Sequence, residues 1–381
     1  MLKAYQYRLY PKKSQVTVLN QILEQCRMVY NRVLAVRKDA WEQEQKQIGY
    51  YESKRLLPIW KEEYPSLKNV HSQVLQDVVT RVDRAYKAFF RRVKSGENPG
   101  YPRFKQFGRY DSITYTQSGF ELDGQWLVLS KVGAVPVITH RMFEGNAKTC
   151  TIRRSCTGKW YASITVDIED VPVQTVEKPA IGIDLGLTNF VALSNGELVK
   201  SPKFFRQDES ILARAQRRLS QQGKGTPERK RSLMIVSKIH EKIANRRSDF
   251  AHKLSRDLVD RFGTIVFEDL NTKGMVKNRY LAKSIGDVAW NQLVQMTQNK
   301  AAEAGSRVIL VDPYNTSQRC SSCGQIVKKD LNVRVHECPF CGLSIDRDVN
   351  AALNILGLGL QSGACTTSTV HVRCPQIYSR E

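Results

Sequence analysis

No run of eighteen or more apolar residues occurs in this chain, so it offers no helix able to span a bilayer. The opening "MLKAYQYRLYPKKSQ" lacks the apolar core and small-residue cleavage site of a secretory leader, which gives the expectation of a cytoplasmic protein without membrane contact. Acidic residues are scarce beside basic ones, 37 Asp and Glu against 59 Lys and Arg, for a formal net charge of +22. With no lipid-seeking segment to explain it, that excess argues for a polyanionic partner, nucleic acid ahead of membrane. Internal repeats are missing as well. What remains is a chain of 381 residues, 41% hydrophobic and 25% charged, long enough for two or three domains with real cores.

The N-terminal "KAYQYRLY" alternates as a strand does and ends at Pro11. Ser14 is placed to cap a helix in which Val18, Leu19, Ile22, Cys26, Val29, Tyr30, Val33 and Leu34 recur at helical spacing. A second helical pattern covers about 69 to 95 and closes at "SGENPGYPRF". From about 112 to 170 the period falls to two, with hairpin signals at Asp123-Gly124 and Thr157-Gly158, which predicts a small antiparallel barrel that the N-terminal strand could complete. "VPVQTVEKP" reads as a linker. Beyond it come an antiparallel meander from about 180, a basic helical pair over 209–262 broken at "GKGTP", a buried strand "TIVFEDL", a helix around "DVAWNQLVQMTQNKAAEAG", and a strand "RVILVD". A cysteine segment and a last helix follow, and the tail after 356 reads as weakly ordered.

Three acids stand where acids are costly. Asp184 lies in an apolar strand between Ile183 and Leu185, and an ionised carboxylate there needs a partner or a metal. Glu268 ends the strand "TIVFE" with Asp269 beside it, and adjacent strand residues face opposite ways, so one of the two can meet Asp184. In "DRDVNAALNIL", Asp348 shares a helical face with Ala351, Ala352 and Ile355, the two alanines being small enough to let the helix lie close on a sheet, while Asp346 falls about 200° away and suits the N-cap. Three converging carboxylates repel one another unless divalent cations neutralise them. Oxygen-only ligands suit Mg or Mn, and two such ions about 4 Å apart are the usual arrangement for in-line phosphodiester cleavage.

Of nine cysteines, Cys320, Cys323, Cys338 and Cys341 form two CxxC pairs, each followed by a glycine, Gly324 and Gly342. That is the spacing of a closed, tetrahedral, structural zinc ribbon. Cys26, Cys150, Cys156, Cys365 and Cys374 are scattered. His336 is surplus to a four-thiolate site and is expected at the surface.

The ordered set "RLYPKKSQ", "AYKAFFRRVKSGENPGYPRF", "GIDLGLTNFVALS", "VFEDL", "SSCG…CPFCG" and "DRDVNAALNIL" resembles the TnpB (OrfB) proteins of insertion sequences, RNA-guided DNA nucleases related to compact type V CRISPR effectors. The resemblance runs from about residue 7 to 356 and implies a multidomain α/β and α+β protein. Its layout would be a wedge barrel from 1–12 and 112–176, a helical recognition domain over 13–111, an RNase H-like RuvC nuclease domain from 177–314 and 344–358, and a zinc-ribbon target-nucleic-acid-binding insert at 315–343, with 359–381 as tail. It implies Asp184, Glu268 and Asp348 as the acids that hold Mg, the four cysteines as zinc ligands, a guide RNA from the element's right end, and a double-stranded DNA target beside a short flanking motif. Gln76, Thr116 and Gln117 fall where such proteins touch that motif, with Ser72 and Gln73 differing from some relatives; a monomer is expected. The basic helices of 212–262 and "AYKAFFRRVK" would line a channel that holds a heteroduplex by its backbone while base pairing reads sequence.

Other readings are weaker. "GIDLGLTNF" also resembles the first phosphate loop of actin-like and heat-shock-type ATPases, but their second Asp-Gly loop and Gly-Gly adenosine motif are missing. A catalytically silent RNA-guided regulator would be expected to have lost an acid, and all three positions are filled. No tyrosine-recombinase or strand-transfer signature supports a strand-joining transposase.

Overall fold

A computed structural model describes residues 2–169, 178–280, 282–330 and 333–363. Two compact units divide the chain, Met1–Glu169 and Asp170–Glu381. No helix among the described residues is long and apolar enough to cross a membrane. Most of the expected linker, and the tail from 364 onward, lie outside the described residues.

The first unit opens with β1 (Leu2–Leu9) and α1 (Lys13–Glu44). The start of α1 differs from expectation. Lys12, not Ser14, is the N-cap, and the Gln15 side chain turns back to accept the Lys12 N–H at 2.9 Å. Leu19, Ile22, Cys26, Val29, Tyr30, Val33 and Leu34 are buried as the spacing predicts, Leu23 joins them, and Val18 is half-buried. Next come α2 (Tyr50–Glu63), which carries Pro58 and was not signalled by the sequence, a 3-10 turn at Pro65–Asn69, and α3 (Ser72–Lys94). Inside the α1–α3 contact Arg37 pairs with Asp83 at 3.3 Å and lies over the Tyr86 ring.

Six further strands follow: β2 (Ser112–Tyr115), β3 (Phe120–Asp123), β4 (Trp126–Leu129), β5 (Gly133–Ile138), β6 (Asn146–Arg154) and β7 (Trp160–Asp167). With β1 they form one antiparallel sheet in the order β2-β6-β7-β1-β5-β4-β3. The N-terminal strand thus sits near the middle of the sheet, paired with β7 from Leu2↔Asp167 to Leu9↔Trp160. The ladder ends at β2 and β3, which are not paired with each other, where the hairpins had suggested a closed barrel.

The second unit begins with β8 (Ala180–Leu185), β9 (Asn189–Leu193) and β10 (Leu198–Lys200), an antiparallel meander. Helices α4 (Phe204–Ser220) and α5 (Pro227–Arg261) are the basic pair; Thr226 caps α5 by accepting the Arg229 N–H, with Pro227 at the first helical position. Then come β11 (Thr264–Glu268), α6 (Thr272–Met275), α7 (Ala282–Val288), α8 (Trp290–Ala304) and β12 (Arg307–Val311). The one helix expected around "DVAWNQLV" is split at Ala289, whose φ of 54° is left-handed. A short hairpin, β13 (Val335–Glu337) with β14 (Ser344–Asp346), leads into α9 (Arg347–Gly363), which runs beyond the expected end at 358.

The mixed sheet has the order β10-β9-β8-β11-β12, with β8, β11 and β12 parallel. Strand alternation decides what lies on each face. Ile181, Ile183, Leu185, Ile265 and Phe267 pack with Leu258, Val259, Phe262, Trp290 and Leu293 of the helices on one side. Gly182, Asp184, Val266 and Glu268 are left for the other side, where Val266 packs with Ile355 of α9. Helix α9 can come so close because Gly182 has no side chain: a Cβ there would overlap the Ala352 carbonyl.

Candidate active site and metal centre

The parallel register pairs Ile183 with Phe267, so the residues that follow, Asp184 and Glu268, stand side by side at the carboxyl ends of neighbouring strands on the α9 face. Asp269 points away and is exposed. Helix α9 supplies Asp348 in its first turn, where it is buried together with Ala351, Ala352 and Ile355. Asp346 caps that helix, its Oδ1 accepting the N–H of Asp348 at 2.8 Å and of Val349 at 3.2 Å.

The electrostatics match the arrangement. Burial, then the negative charges of Glu268 and Asp348, push the Asp184 carboxyl up to about 8, against the opposing pull of the Arg347 guanidinium. Burial also raises Glu268, opposed by a hydrogen bond from Thr316. Three carboxylates brought to one face of the sheet offer the all-oxygen donor chemistry that hard divalent cations suit.

Four residues that sequence reasoning passed over brace the site, three of them by bonding the acids. Thr316 donates its hydroxyl to Glu268 Oε1 at 2.5 Å. Asn189 donates to Asp348 Oδ2 at 3.2 Å, and Arg347 donates to Asp348 Oδ1 at 2.9 Å while also reaching the Val333 carbonyl. Asn350, wholly buried, holds the backbone on either side of Cys320. Two signals could have found some of them: "DRDVN" sets Arg347 and Asn350 beside the acid, and Asn189 follows Asp184 closely in the meander.

The four cysteines expected to hold zinc also come together. The four sulfurs of Cys320, Cys323, Cys338 and Cys341 lie within 4.8 Å of one another, and among the described residues this is the one group of three or more such ligands so packed. Cys320 and Cys341 are 3.6 Å apart, as are Cys323 and Cys338. Tetrahedral Zn–S bonds of about 2.3 Å place sulfurs roughly 3.8 Å apart, so the donor set fits zinc. Each CxxC closes the same turn: Gly324 and Gly342, at φ of 77° and 73°, donate to the carbonyls of Cys320 and Cys338. His336 corrects an expectation. It is fully buried, its Nδ1 against the Lys329 ammonium, on the inward side of β13.

In the first unit, Gln76 is half-buried on α3, Thr116 is half-buried just after β2, and Gln117 is exposed. Gln73, one turn before Gln76, accepts the backbone N–H groups of Gln117 and Ser118 at 3.0 and 2.9 Å, which joins the start of α3 to the end of β2.

Comparison with known proteins decides the lineage. Residues 163–279 match the family described as "Probable transposase" (OrfB of IS605), residues 290–355 the "Cas12f1-like, TNB domain", and residues 1–46 a "Helix-turn-helix domain" of the same OrfB group. A protein of Streptomyces pristinaespiralis named "Putative RNA-guided DNA endonuclease" is 37% identical, with 95% of this chain and 90% of that protein covered. The chain belongs to the OrfB/TnpB family of RNA-guided DNA endonucleases. Another relative, "Putative RNA-guided DNA endonuclease InsQ" of Escherichia coli K12, is 32% identical over 96% of this chain and 94% of its own length. Among solved structures, a Cas12f1-sgRNA-target DNA complex is similar with a TM-score of 0.57 at 15% identity, covering 90% of this chain and 83% of that one, a likeness of fold. The segment matched as helix-turn-helix holds β1 and a single long helix.

Proposed function

We propose that this protein cuts DNA with Asp184, Glu268 and Asp348 as the residues that hold Mg, guided by an RNA transcribed from its own element's right end. As a family member it is an RNA-guided DNA endonuclease; the observation that carries the residue assignment is the convergence of these three buried or half-buried acids on one face of the sheet. When bound, a pair of divalent cations supplies an activated water and stabilises charge on the leaving oxygen of the scissile phosphodiester. The chain's own part is positional. Asp184 and Glu268 come from the most buried strands of the sheet, Asp348 from a capped helix, and Thr316, Asn189 and Arg347 hold the carboxylate oxygens in place. Fixing ligands through such partners is how a site keeps its geometry while a flexible substrate is bound.

The second unit serves as the nuclease part, with residues 315–343 as its zinc ribbon, and the first as the wedge and recognition part, in which Gln76, Thr116 and Gln117 read the flanking motif. One zinc holds the ribbon and takes no part in cleavage, since four thiolates close its coordination. Exposed Arg214, Arg217, Arg218, Lys230, Arg231 and Lys238 on α4 and α5 supply the sequence-independent grip on nucleic-acid backbone. The protein acts as a monomer. The test is to purify it, sequence the RNA that comes with it, and measure Mg-dependent cleavage of a duplex library matched to that RNA. Asp184→Ala should abolish cleavage and leave RNA and target binding intact, and full cutting by that variant would overturn the assignment.

A further inference from the structure

The loop that leads into the zinc ribbon touches Glu268 directly and the helix of Asp348 through two asparagines. Thr316 lies between β12 and Cys320, is 5% exposed, and gives its hydroxyl proton to Glu268. Its backbone carbonyl accepts from Asn354 Nδ2 at 2.9 Å. Three residues on, the Arg319 carbonyl accepts from both Asn350 Nδ2 and Asn354 Nδ2 at 2.7 Å, and the N–H of Ser321, next to the first zinc ligand, donates to Asn350 Oδ1 at 2.9 Å.

Asn350 and Asn354 are four apart on α9, the helix that begins with Asp348, so they project from one side of it. Asn350 is completely buried with both ends of its amide engaged, one as acceptor and one as donor. Neither Asp nor Ala can make both bonds, and a buried backbone group left without its partner is costly. A zinc-held knuckle is rigid because its cysteines are tied to one ion. The loop bonded to that knuckle is therefore a fixed frame, against which one acid is held directly and another through its helix.

We propose that Thr316, Asn350 and Asn354 form a strut through which the first zinc knuckle sets the spacing of Glu268 and Asp348, making the ribbon a positioning element for the cleavage site. Thr316 and the two asparagines are positioning residues in this scheme, not catalytic ones. The inference rests on the nuclease reading above, and it adds that metal affinity at the acids depends on contacts made by the loop that enters the ribbon.

The test uses the full-length protein with its guide RNA and reads Mn²⁺ binding by electron paramagnetic resonance, zinc content by mass spectrometry, and single-turnover cleavage of a matched duplex. Thr316→Val keeps shape and removes the hydroxyl; Thr316→Ser restores it. Partners that orient metal ligands are worth about 10- to 100-fold in affinity or rate, so T316V and Asn350→Ala should each weaken Mn²⁺ binding and slow cleavage by that order. Thr316→Ser should stay near the parent, target DNA affinity should hold, and T316V should keep one zinc per chain. Parent-like Mn²⁺ binding and cleavage in both T316V and N350A would overturn the strut. Asp184→Ala separates the two readings: if it cuts, the nuclease assignment fails, whereas a silent D184A beside unaffected T316V and N350A sinks the strut alone.

Discussion

Gly182 is the residue whose replacement most directly tests how the sheet and α9 make the site. It lies two positions before Asp184 on the same face of β8, and an added Cβ would meet Leu356 N at 2.7 Å and Leu356 Cβ at 2.8 Å, with the Ala352 carbonyl nearer still. Ordinary contact begins at 3.4 Å, so relief of the Leu356 clash alone moves the helix by about 0.7 Å, and the carbonyl demands more. These are backbone atoms and a helix-fixed Cβ, which cannot swing aside. Overpacking of this kind costs about 1–3 kcal/mol, and a unit of roughly 200 residues loses about 2–4 °C of melting temperature for each of them. The effect on chemistry is larger. Displacement of a reacting group by about 1 Å costs on the order of 100-fold in rate, and α9 carries Asp348 with it. Gly182→Ala should therefore melt a few degrees lower, bind guide and target as before, and cut about 100-fold more slowly in a single-turnover assay. Gly357→Ala is the control: it lies on the same helix with nothing within 4 Å of its added Cβ, and should leave cleavage unchanged. If G182A cuts and melts like G357A, α9 does not depend on that close approach to place its acid.

Asp184 sets a pH signature. Its carboxyl is held up to about 8 in the folded state by burial and by Glu268 and Asp348, against an ordinary value of 3.8, so the folded chain binds more protons than the unfolded one between those limits. Stability of the cation-free protein should then fall as pH rises from about 4 to 8, and added Mg should raise the melting temperature more at pH 8 than at pH 5; equal Mg stabilisation at both would refute the coupling. For the ribbon, one zinc per chain is expected, and Cys338→Ser should lose it and lower the melting temperature, with a zinc-free but fully active parent protein as the contrary result. At the flanking motif, each specific base contact is worth about 1–3 kcal/mol, so Gln76→Ala or Gln117→Ala should broaden the motif recovered from a randomised flank library. An unchanged motif in both would remove those residues from recognition.

Sequence periodicity was most informative where burial is lopsided. The apolar stripe of α1, the alternation of β6 and β7, and the parity that turns Asp184 and Glu268 to one face follow from spacing alone. It failed where contacts between distant segments decide the outcome. Ser14 looked like the cap because hydroxyls suit that place, yet Gln15 reaches the Lys12 backbone and the helix starts earlier. Helix α2 carries Pro58 in its interior, a helix-breaking signal in the sequence, yet Leu57 and Trp60 are buried in the core of the first unit. His336 was assigned to the surface because zinc has no need of it; β13 turns it inward, and a three-residue strand is too short for its alternation to be read. Thr316 escaped notice for a related reason, since nothing local distinguishes a threonine that donates to an acid 48 positions away.

The adjacency of zinc cysteines and aspartates along the chain has a physical reading in these contacts. Zinc gains nothing from carboxylates when four thiolates already neutralise it, so proximity must serve the carboxylates. Asp346 ends the ribbon's last strand and caps α9 in the same stroke, fixing where the helix starts to within one residue. A start one position later would rotate Asp348 by about 100° and aim it off the sheet. Asn350, a half-turn on, then locks that helix to the Cys320 knuckle. On the proposed strut, a ribbon inserted just before this helix lets one metal-stiffened loop set both the phase and the position of Asp348.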